Sequence, residues 1–275
     1  MKTCNSIKPT PSGFTLVELA IVITIIGILI GGVLKGQQLI DQARLAATIN
    51  QVNNYRSALM IFKTTYNELP GDMRDPDARI VGCSGCVATE TRDVKQGDGY
   101  INGGALGNSS PISNKDYEAV RYWLHLYKAD MIAGVTDAAL TDEPIGIGTT
   151  HPATKIGGGF IVETAGLPGD DYCGTSSYNV IWGRDDGCQP MPGVVLMIHP
   201  LDDLSNIYSS GNWVVMSPLE AASIDRKMDD GRPLTGQVRG ASLNSDIRGC
   251  ADDTDAYPES ETNADACTLG FLIES

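Results

Sequence analysis

One carboxylate, that of Glu18, lies within a long apolar run near the start of the chain. The run covers residues 14–34, and Glu18 is the one charged residue among these 21. A helix of that length measures about 30 Å at about 1.5 Å per residue, which matches the hydrocarbon core of a bilayer. An ionisable side chain inside such a segment is costly without a partner and indicates a functional role. We therefore expect Glu18 to have a partner.

Cysteines are the second set of residues that could do chemistry, and the chain has seven. Cys4 precedes the apolar run, and the other six are Cys83, Cys86, Cys173, Cys188, Cys250 and Cys267. An even set in an exported domain is typical of disulfides. The simplest pairing joins sequence neighbours, which are 83 with 86, 173 with 188, and 250 with 267.

Two other interpretations of the cysteines stay open. Cys83 and Cys86 have the spacing of a thioredoxin-type redox pair, although turn-forming residues rather than a βαβ pattern surround them. A structural zinc site would need a second close pair of ligands, and the three histidines are isolated in the sequence: His125, His151 and His199.

Two groups of acids are candidate calcium ligands. The first is the glycine-rich stretch at residues 97–103, which contains Asp98, and the second is Asp229 and Asp230 with Asp225 one helical turn earlier. Neither has the spacing of an EF-hand, and acids in turns mostly cap backbone amides or are solvated. The sequence therefore predicts no required cofactor, with calcium as the one candidate metal.

Catalytic motifs are missing from the sequence. It has no G-x-S-x-G, H-E-x-x-H or Walker pattern, and no G-x-G-x-x-G after a predicted strand. The acid pairs at 170–171 and 185–186 could serve glycoside hydrolysis, but such pairs are recognised by their separation in space. We predict that the protein is not an enzyme.

The composition argues against nucleic acid as a partner. The 275 residues carry a net charge of −14, and without Lys2 and Lys8 of residues 1–13 the net charge is −16. Phosphate binding needs basic surface. The length suits one large or two small domains.

The pattern after the apolar run predicts that its helix continues. Apolar residues recur at three- and four-residue spacing up to Tyr66, which predicts one helix over residues 15–66 that becomes amphipathic beyond Lys35. Pro70 and Gly71 follow and predict its end. Glycines at 27, 31, 32 and 36 could let neighbouring helices approach closely.

The remaining chain predicts a mixed head. Residues 70–112 have the composition of a long loop, and a second helix is predicted over 114–132, capped by Ser113 or Asn114 and ended by Gly134. A capping box with proline opens a short helix over 217–228. The strand candidates are residues 160–163, 178–182, 194–199, 213–216, 236–238 and 268–273.

The stretch from Gly13 to Leu19 resembles the processing site of type IV prepilins and of the pseudopilins of type II secretion systems. In that family a short basic leader is cut after the glycine, the new N-terminal phenylalanine is N-methylated, and the fifth mature residue is glutamate. The resemblance implies a leader at residues 1–13, cleavage between Gly13 and Phe14, methylation of Phe14 and an assembly role for Glu18. An ordinary signal peptide would be cut after its apolar region, and a plain single-span anchor would not need Glu18.

The resemblance also implies a pilin-like α+β fold. Residues 14–34 would form the membrane-spanning half of a long helix and residues 35–69 its amphipathic half, packed on a small antiparallel sheet in a loop-rich, disulfide-stapled head at 70–275. The implied function is that of a minor pilin or pseudopilin. The alternatives are a membrane-anchored binding or adhesion protein that does not polymerise, and a membrane-tethered enzyme.

The implied partners are prepilin peptidase, other pilin or pseudopilin subunits, the inner-membrane assembly platform and membrane lipid before assembly. The implied place is the bacterial inner membrane, crossed once, followed by a periplasmic or cell-surface filament. Because Lys2 and Lys8 precede the span, the positive-inside rule puts the N-terminus in the cytoplasm and the head outside.

Overall fold

The structure is a computed structural model. It describes residues 15–88, 95–101, 117–141, 145–165, 193–199, 215–241, 250–251, 254–258 and 267–274, to which all structural statements below refer. The chain divides into two compact units, Met1–Ala43 and Arg44–Ser275. The leader, Gly13, Phe14, Cys173, Cys188, the acid pairs at 170–171 and 185–186, and the strand expected at 178–182 lie outside the described residues.

Helix α1, Leu16–Tyr66, confirms the long predicted helix to within one residue. In the second unit one face of α1 is buried, at Leu45, Thr48, Val52, Tyr55, Ala58, Leu59 and Phe62. This three- and four-residue spacing is the expected amphipathic pattern. The helix ends because Asn67 takes a left-handed conformation, with φ of 58°, and Pro70 follows.

The head contains a four-stranded antiparallel sheet of order β1-β2-β4-β3. The strands are β1 Gly159–Ala165, β2 Gly193–His199, β3 Val238–Ala241 and β4 Thr268–Glu274. In the second unit α1 contributes Tyr55, whose ring lies edge-on to Phe160 of β1, with centroids 5.2 Å apart. The long helix therefore packs on the sheet, and the α+β pilin-like fold is confirmed.

Both edge strands of the sheet have hydrogen-bond partners outside the sheet. On β3 the N–H of Val238 donates to the Asp229 carboxylate at 3.1 Å, and Gly240 donates to the Pro233 carbonyl at 2.8 Å. On β1 the N–H of Phe160 donates to the Pro152 carbonyl at 2.9 Å. These bonds engage part of the main chain of each edge strand.

Helix α3, Glu118–Lys128, is shorter than the predicted second helix. Its N-cap is Tyr117, whereas the expected caps lie outside the described residues. The prediction that Gly134 ends it was wrong. Asp130 takes the left-handed position with φ of 58°, and Met131 N–H donates to the Leu126 carbonyl, which closes a Schellman motif four residues earlier.

The other elements follow their sequence signals more closely. Helix α4, Pro218–Met228, has the predicted capping box, in which Ser217 and Glu220 exchange hydrogen bonds. The strand expected at 236–238 is displaced to Val238–Ala241. The candidate at 213–216 is not a strand where it is described, since Met216 forms an isolated bridge with Cys267. One short helix, α2 at Pro76–Arg79, interrupts the predicted loop.

Candidate functional site

The candidate functional site is the start of α1, which belongs to the first unit. Thr15 precedes the helix and Glu18 is its third residue, so their spacing allows a capping box. The Glu18 carboxylate accepts hydrogen bonds from the Thr15 N–H at 2.8 Å and from the Thr15 hydroxyl at 2.7 Å, and the Glu18 N–H donates to that hydroxyl at 3.2 Å. The acid is thus held against the helix start by its own neighbour.

Thr15 is a site residue that the sequence reasoning missed. The signal was present, because Thr15 and Glu18 read as the S/T-x-x-E pattern ahead of an apolar run. Gly13 and Phe14, the other predicted site residues of this segment, lie outside the described residues.

The rest of the segment is built to lie in an apolar medium. Within residues 16–34 the one further polar side chain is Thr24, and its hydroxyl donates to the Ala20 carbonyl at 2.7 Å. Backbone and hydroxyl donors are therefore satisfied inside the helix, as a bilayer requires. The large apolar side chains point outward instead, and Leu16 is 86% exposed.

In the described part of the chain, α1 is the one helix long and apolar enough to cross a membrane, with a mean hydropathy of 2.6 over its most apolar 18 residues. None of that window is buried within the protein. An added Cβ at Gly27, Gly31 or Gly32 would meet nothing within 4 Å, so another helix could approach these positions closely. The segment thus presents an apolar surface that calls for lipid or for other helices.

In the head, two disulfides lie within the described residues. Cys83 is bonded to Cys86, and Cys250 to Cys267. All four cysteines are buried, which deprives the Cys83–Cys86 pair of the solvent access that a thioredoxin-type redox pair needs. The structure therefore favours a structural role for the close pair.

His125 ties the first disulfide loop to the turn after α1. Its Nδ1 accepts from the Gly71 N–H at 2.9 Å, and its Nε2 lies 3.1 Å from the Cys86 carbonyl. These partners define a neutral ring with the proton on Nε2. Burial lowers the pKa of His125 to about 4, so it stays neutral at pH 7.

The glycine-rich loop is predicted as a calcium site, and its described residues surround a buried carboxylate. Backbone N–H groups of Asp98 and Gly99 donate to the buried carboxylate of Asp72, at 3.2 and 2.8 Å. Asp98 itself accepts from the Tyr100 N–H at 3.0 Å. The loop therefore points donors inward at a carboxylate, whereas a cation would need acceptors.

The carboxylates of the second predicted calcium group do lie close together. Oxygens of Asp225, Asp229 and Asp230 lie within 4.8 Å of one another, and this is the one such group of three or more His, Cys, Asp or Glu among the described residues. Each carboxylate is already engaged, for example Asp225 by the Tyr257 hydroxyl at 2.9 Å and Asp230 by the Arg232 N–H at 2.9 Å. Burial raises the pKa of Asp225 to about 6. Calcium at this group stays an untested prediction.

The remaining histidines are core residues. His151 and His199 are both fully buried, and burial lowers their pKa values to about 3 and about 4. The Thr150 hydroxyl lies 2.9 Å from Nδ1 of His151. Neither histidine joins a converging group of three or more ligands in the described part of the chain.

The fold and the N-terminal segment define a pilin-like α+β protein whose first helix can cross a membrane once. Comparison with known families agrees, because the family described as "Prokaryotic N-terminal methylation motif" matches residues 10–34. The chain therefore carries the type IV prepilin and pseudopilin signature at its N-terminus, which supports a pilin-like or pseudopilin-like precursor. No curated protein and no solved structure matches the chain.

Proposed function

We propose that the protein is a structural subunit, a minor pilin or a pseudopilin, of a type IV pilus-like or type II secretion filament. The observation that carries this proposal is the methylation motif at residues 10–34, with Glu18 at the start of an exposed apolar helix. The motif favours a structural subunit over an enzyme. The proposal needs no cofactor.

In this proposal the precursor first resides in the bacterial inner membrane, with its leader in the cytoplasm and its head outside. Prepilin peptidase removes residues 1–13, and Phe14 becomes a methylated N-terminus. Lipid covers the apolar residues 16–34 until the assembly platform extracts the helix into the growing filament. Extraction exchanges lipid contacts for contacts with other apolar helices, so little apolar surface meets water at either stage.

Glu18 sets the axial register between adjoining subunits during assembly. In the filament interior a carboxylate is costly unless it is paired, and the nearest cation that the motif creates is the amino group of Phe14 on an adjoining subunit. A carboxylate has about four acceptor sites, so Glu18 can keep its two bonds from Thr15 and still accept from that amino group. The capping box would thus hold the acid ready before its partner arrives.

The size of the head favours a minor member of the class. Residues 70–275 are about three quarters of the chain, and a head of this size suits a filament tip or an initiation complex better than a closely repeated shaft. The rival function is that of an anchored binding protein that never polymerises. The disulfide-stapled head fits both, so the distinction depends on the N-terminal segment.

The test compares Glu18→Ala with the wild-type chain in the native host. We expect processing and membrane level to be unchanged and the amount recovered in sheared or purified filaments to fall by more than about tenfold, because each 1.4 kcal/mol lost is a factor of ten. Glu18→Gln is the matched control for shape, since it keeps the hydrogen bonds to Thr15 in part and removes the charge. Normal incorporation of both variants would contradict the role of Glu18, and absence of the wild-type chain from any filament would favour the anchored binding protein.

A further inference from the structure

A cleft lies between α1 and the end of β4 in the second unit. It has a volume of about 510 Å³ and is open to solvent. The helix contributes Arg56, Met60 and Lys63 to its walls, and the strand contributes Leu272 and Glu274. Ligand pockets commonly have volumes of roughly 300–1,000 Å³, so the cleft is large enough to hold a ligand.

Arg56 is a cation of this cleft that has no anion beside it. Its side chain is half-buried, and one N–H of its guanidinium donates to the Leu272 carbonyl at 2.9 Å. Among the described residues Arg56 forms no ion pair with a carboxylate, and its other N–H groups have no acceptor. Because a partly desolvated charge is costly without a counter-ion, the cleft favours an anionic ligand.

The guanidinium is also held in place before any ligand arrives. Its hydrogen bond to the Leu272 carbonyl fixes the side chain across the cleft. A guanidinium can bind a carboxylate through two parallel hydrogen bonds. Since the side chain is already ordered, little of its conformational freedom is lost when the carboxylate binds.

The other charges of the cleft neutralise each other. Lys63 forms an ion pair with Glu274. Two cations and one acid leave the lining with a net charge of +1, although the whole chain has 34 acids and 20 basic residues. The charge that remains to be paired is therefore that of Arg56, and it calls for a single carboxylate.

Apolar and amide groups surround this cation. Met60 lies one helical turn beyond Arg56 and is 62% exposed, and Leu272 is partly buried on the opposite wall. Methionine adapts its shape to different apolar partners. The exposed side chain of Gln237 adds an amide donor and acceptor at the same cleft. A carboxylate, a large apolar group beside it and amide groups are together the features of an acidic peptide.

We propose that this cleft binds an acidic peptide segment of a partner protein, with a carboxylate on Arg56 and a neighbouring large apolar side chain on Met60 and Leu272. Capture of an acidic motif by arginine is a recurring mode of peptide recognition. The inference goes beyond the proposed function and does not depend on it, because the cleft is complete within one chain.

The test measures the binding of two short peptides to the full-length chain in lipid nanodiscs by ligand-observed NMR. The peptides are acetyl-Leu-Glu-Leu-amide and its uncharged match acetyl-Leu-Gln-Leu-amide, and empty nanodiscs correct for partitioning into lipid. We expect the acidic peptide to bind with a Kd of about 1 mM or below and the uncharged one at least tenfold more weakly, because it lacks the charge-assisted hydrogen bonds. Equal binding of the two peptides, or no binding of the acidic one at about 1 mM, would overturn the inference.

Two variants locate the site. Arg56→Gln should lower the affinity for the acidic peptide at least tenfold and leave that for the uncharged peptide unchanged. Arg226→Gln is the matched control, since Arg226 is an exposed arginine of α4 outside the cleft, and it should bind as the wild type does. Unchanged affinity in a folded Arg56→Gln variant would overturn the inference.

Met60→Ser keeps the test decisive if Arg56→Gln does not fold, which thermal unfolding shows. Met60 is largely exposed, so its loss leaves the core intact. We expect the affinity for both peptides to fall severalfold because apolar contact is lost. Unchanged affinity in this variant would mean that the peptide binds elsewhere and would overturn the inference.

Discussion

The Glu18 carboxylate is bonded to Thr15 twice, through the Thr15 N–H at 2.8 Å and the Thr15 hydroxyl at 2.7 Å. After cleavage behind Gly13, Thr15 would be the second residue of the mature chain. The residue that completes the capping box therefore lies next to the amino group that Glu18 is proposed to meet. The Glu18 carboxylate would then both cap its own helix and set the axial register between subunits.

Thr15→Val tests whether that capping matters. The variant keeps the shape of the side chain and removes its hydroxyl, so the helix start loses one cap worth about 0.5–2 kcal/mol. We expect filament incorporation to fall severalfold, less than for Glu18→Ala, with processing followed separately by immunoblot. Thr15→Ser restores the hydroxyl and should restore incorporation. Equal incorporation of Val and Ser variants would show that the capping box has no role in assembly.

Gly71→Ala is expected to destabilise the head strongly. Gly71 has φ of 88°, and an added Cβ would overlap the Glu118 carbonyl oxygen. Gly82 is the matched control because its φ is 76° and an added Cβ there meets nothing within 4 Å. We expect a loss of about 1 kcal/mol for Gly82→Ala from the backbone alone and about 3 kcal/mol or more for Gly71→Ala. Denaturant unfolding of the head measures both, and equal losses would mean that the turn moves away from α3 without cost.

Mild acid should destabilise the head through its buried histidines. The pKa values of His125, His151 and His199 in the folded state, about 4, 3 and 4, lie below the usual 6.5, so the unfolded chain binds more protons as pH falls from 6.5 toward 4. Each histidine then removes roughly 1.4 kcal/mol of stability per pH unit. Asp72 and Asp225, with pKa values raised to about 6, oppose this below pH 6 because the folded state binds their protons first.

His125→Gln separates one histidine from the others. Glutamine can accept from the Gly71 N–H and donate to the Cys86 carbonyl, as His125 does, but it does not titrate. We expect the variant to lose less stability than the wild type between pH 6.5 and 4.5, measured by denaturant unfolding at each pH. If the free energy of unfolding of the variant and of the wild type changed with pH in the same way, His125 would not be the neutral core residue that its two hydrogen bonds indicate.

The two described disulfides should differ in their contribution to stability. Cys250 and Cys267 close a loop of 17 residues, and Cys83 and Cys86 one of 3. The chain-entropy relation gives about 3 kcal/mol for the longer loop and about 2 kcal/mol for the shorter one. Paired substitution to alanine, with thermal unfolding as the readout, should therefore cost more at 250 and 267. A larger loss at 83 and 86 would contradict the order that loop closure predicts.

The sequence predicted those elements whose signals lie within a few residues of one another. Helix α1 and the capping box at Ser217 are of this kind, because hydrophobic periodicity and capping are local. The end of α3 was missed because Asp130, rather than a glycine, takes the left-handed position. Whether an aspartate takes the left-handed conformation depends on the hydrogen bonds that the carbonyls at the helix end accept, and not on the intrinsic conformational preference of the residue alone.

Long-range contacts account for the other differences. Asp72 and Gly99 are 27 residues apart in sequence, so no local pattern could indicate that the glycine-rich loop wraps a buried carboxylate. Arg56 and Leu272 are separated by 216 residues, so no local pattern could indicate that the Arg56 side chain reaches the carbonyl of a strand in the sheet. The candidate site at Glu18, in contrast, was visible in the sequence because it consists of adjacent residues.

The most direct measurement of the central claim is the intact mass and N-terminal sequence of the chain extracted from the membranes of its native host. The prepilin account predicts a chain that begins at Phe14 and carries one added methyl group. A chain that retains Met1, or one cut after the apolar run, would contradict it and reduce α1 to a plain anchor or a signal sequence.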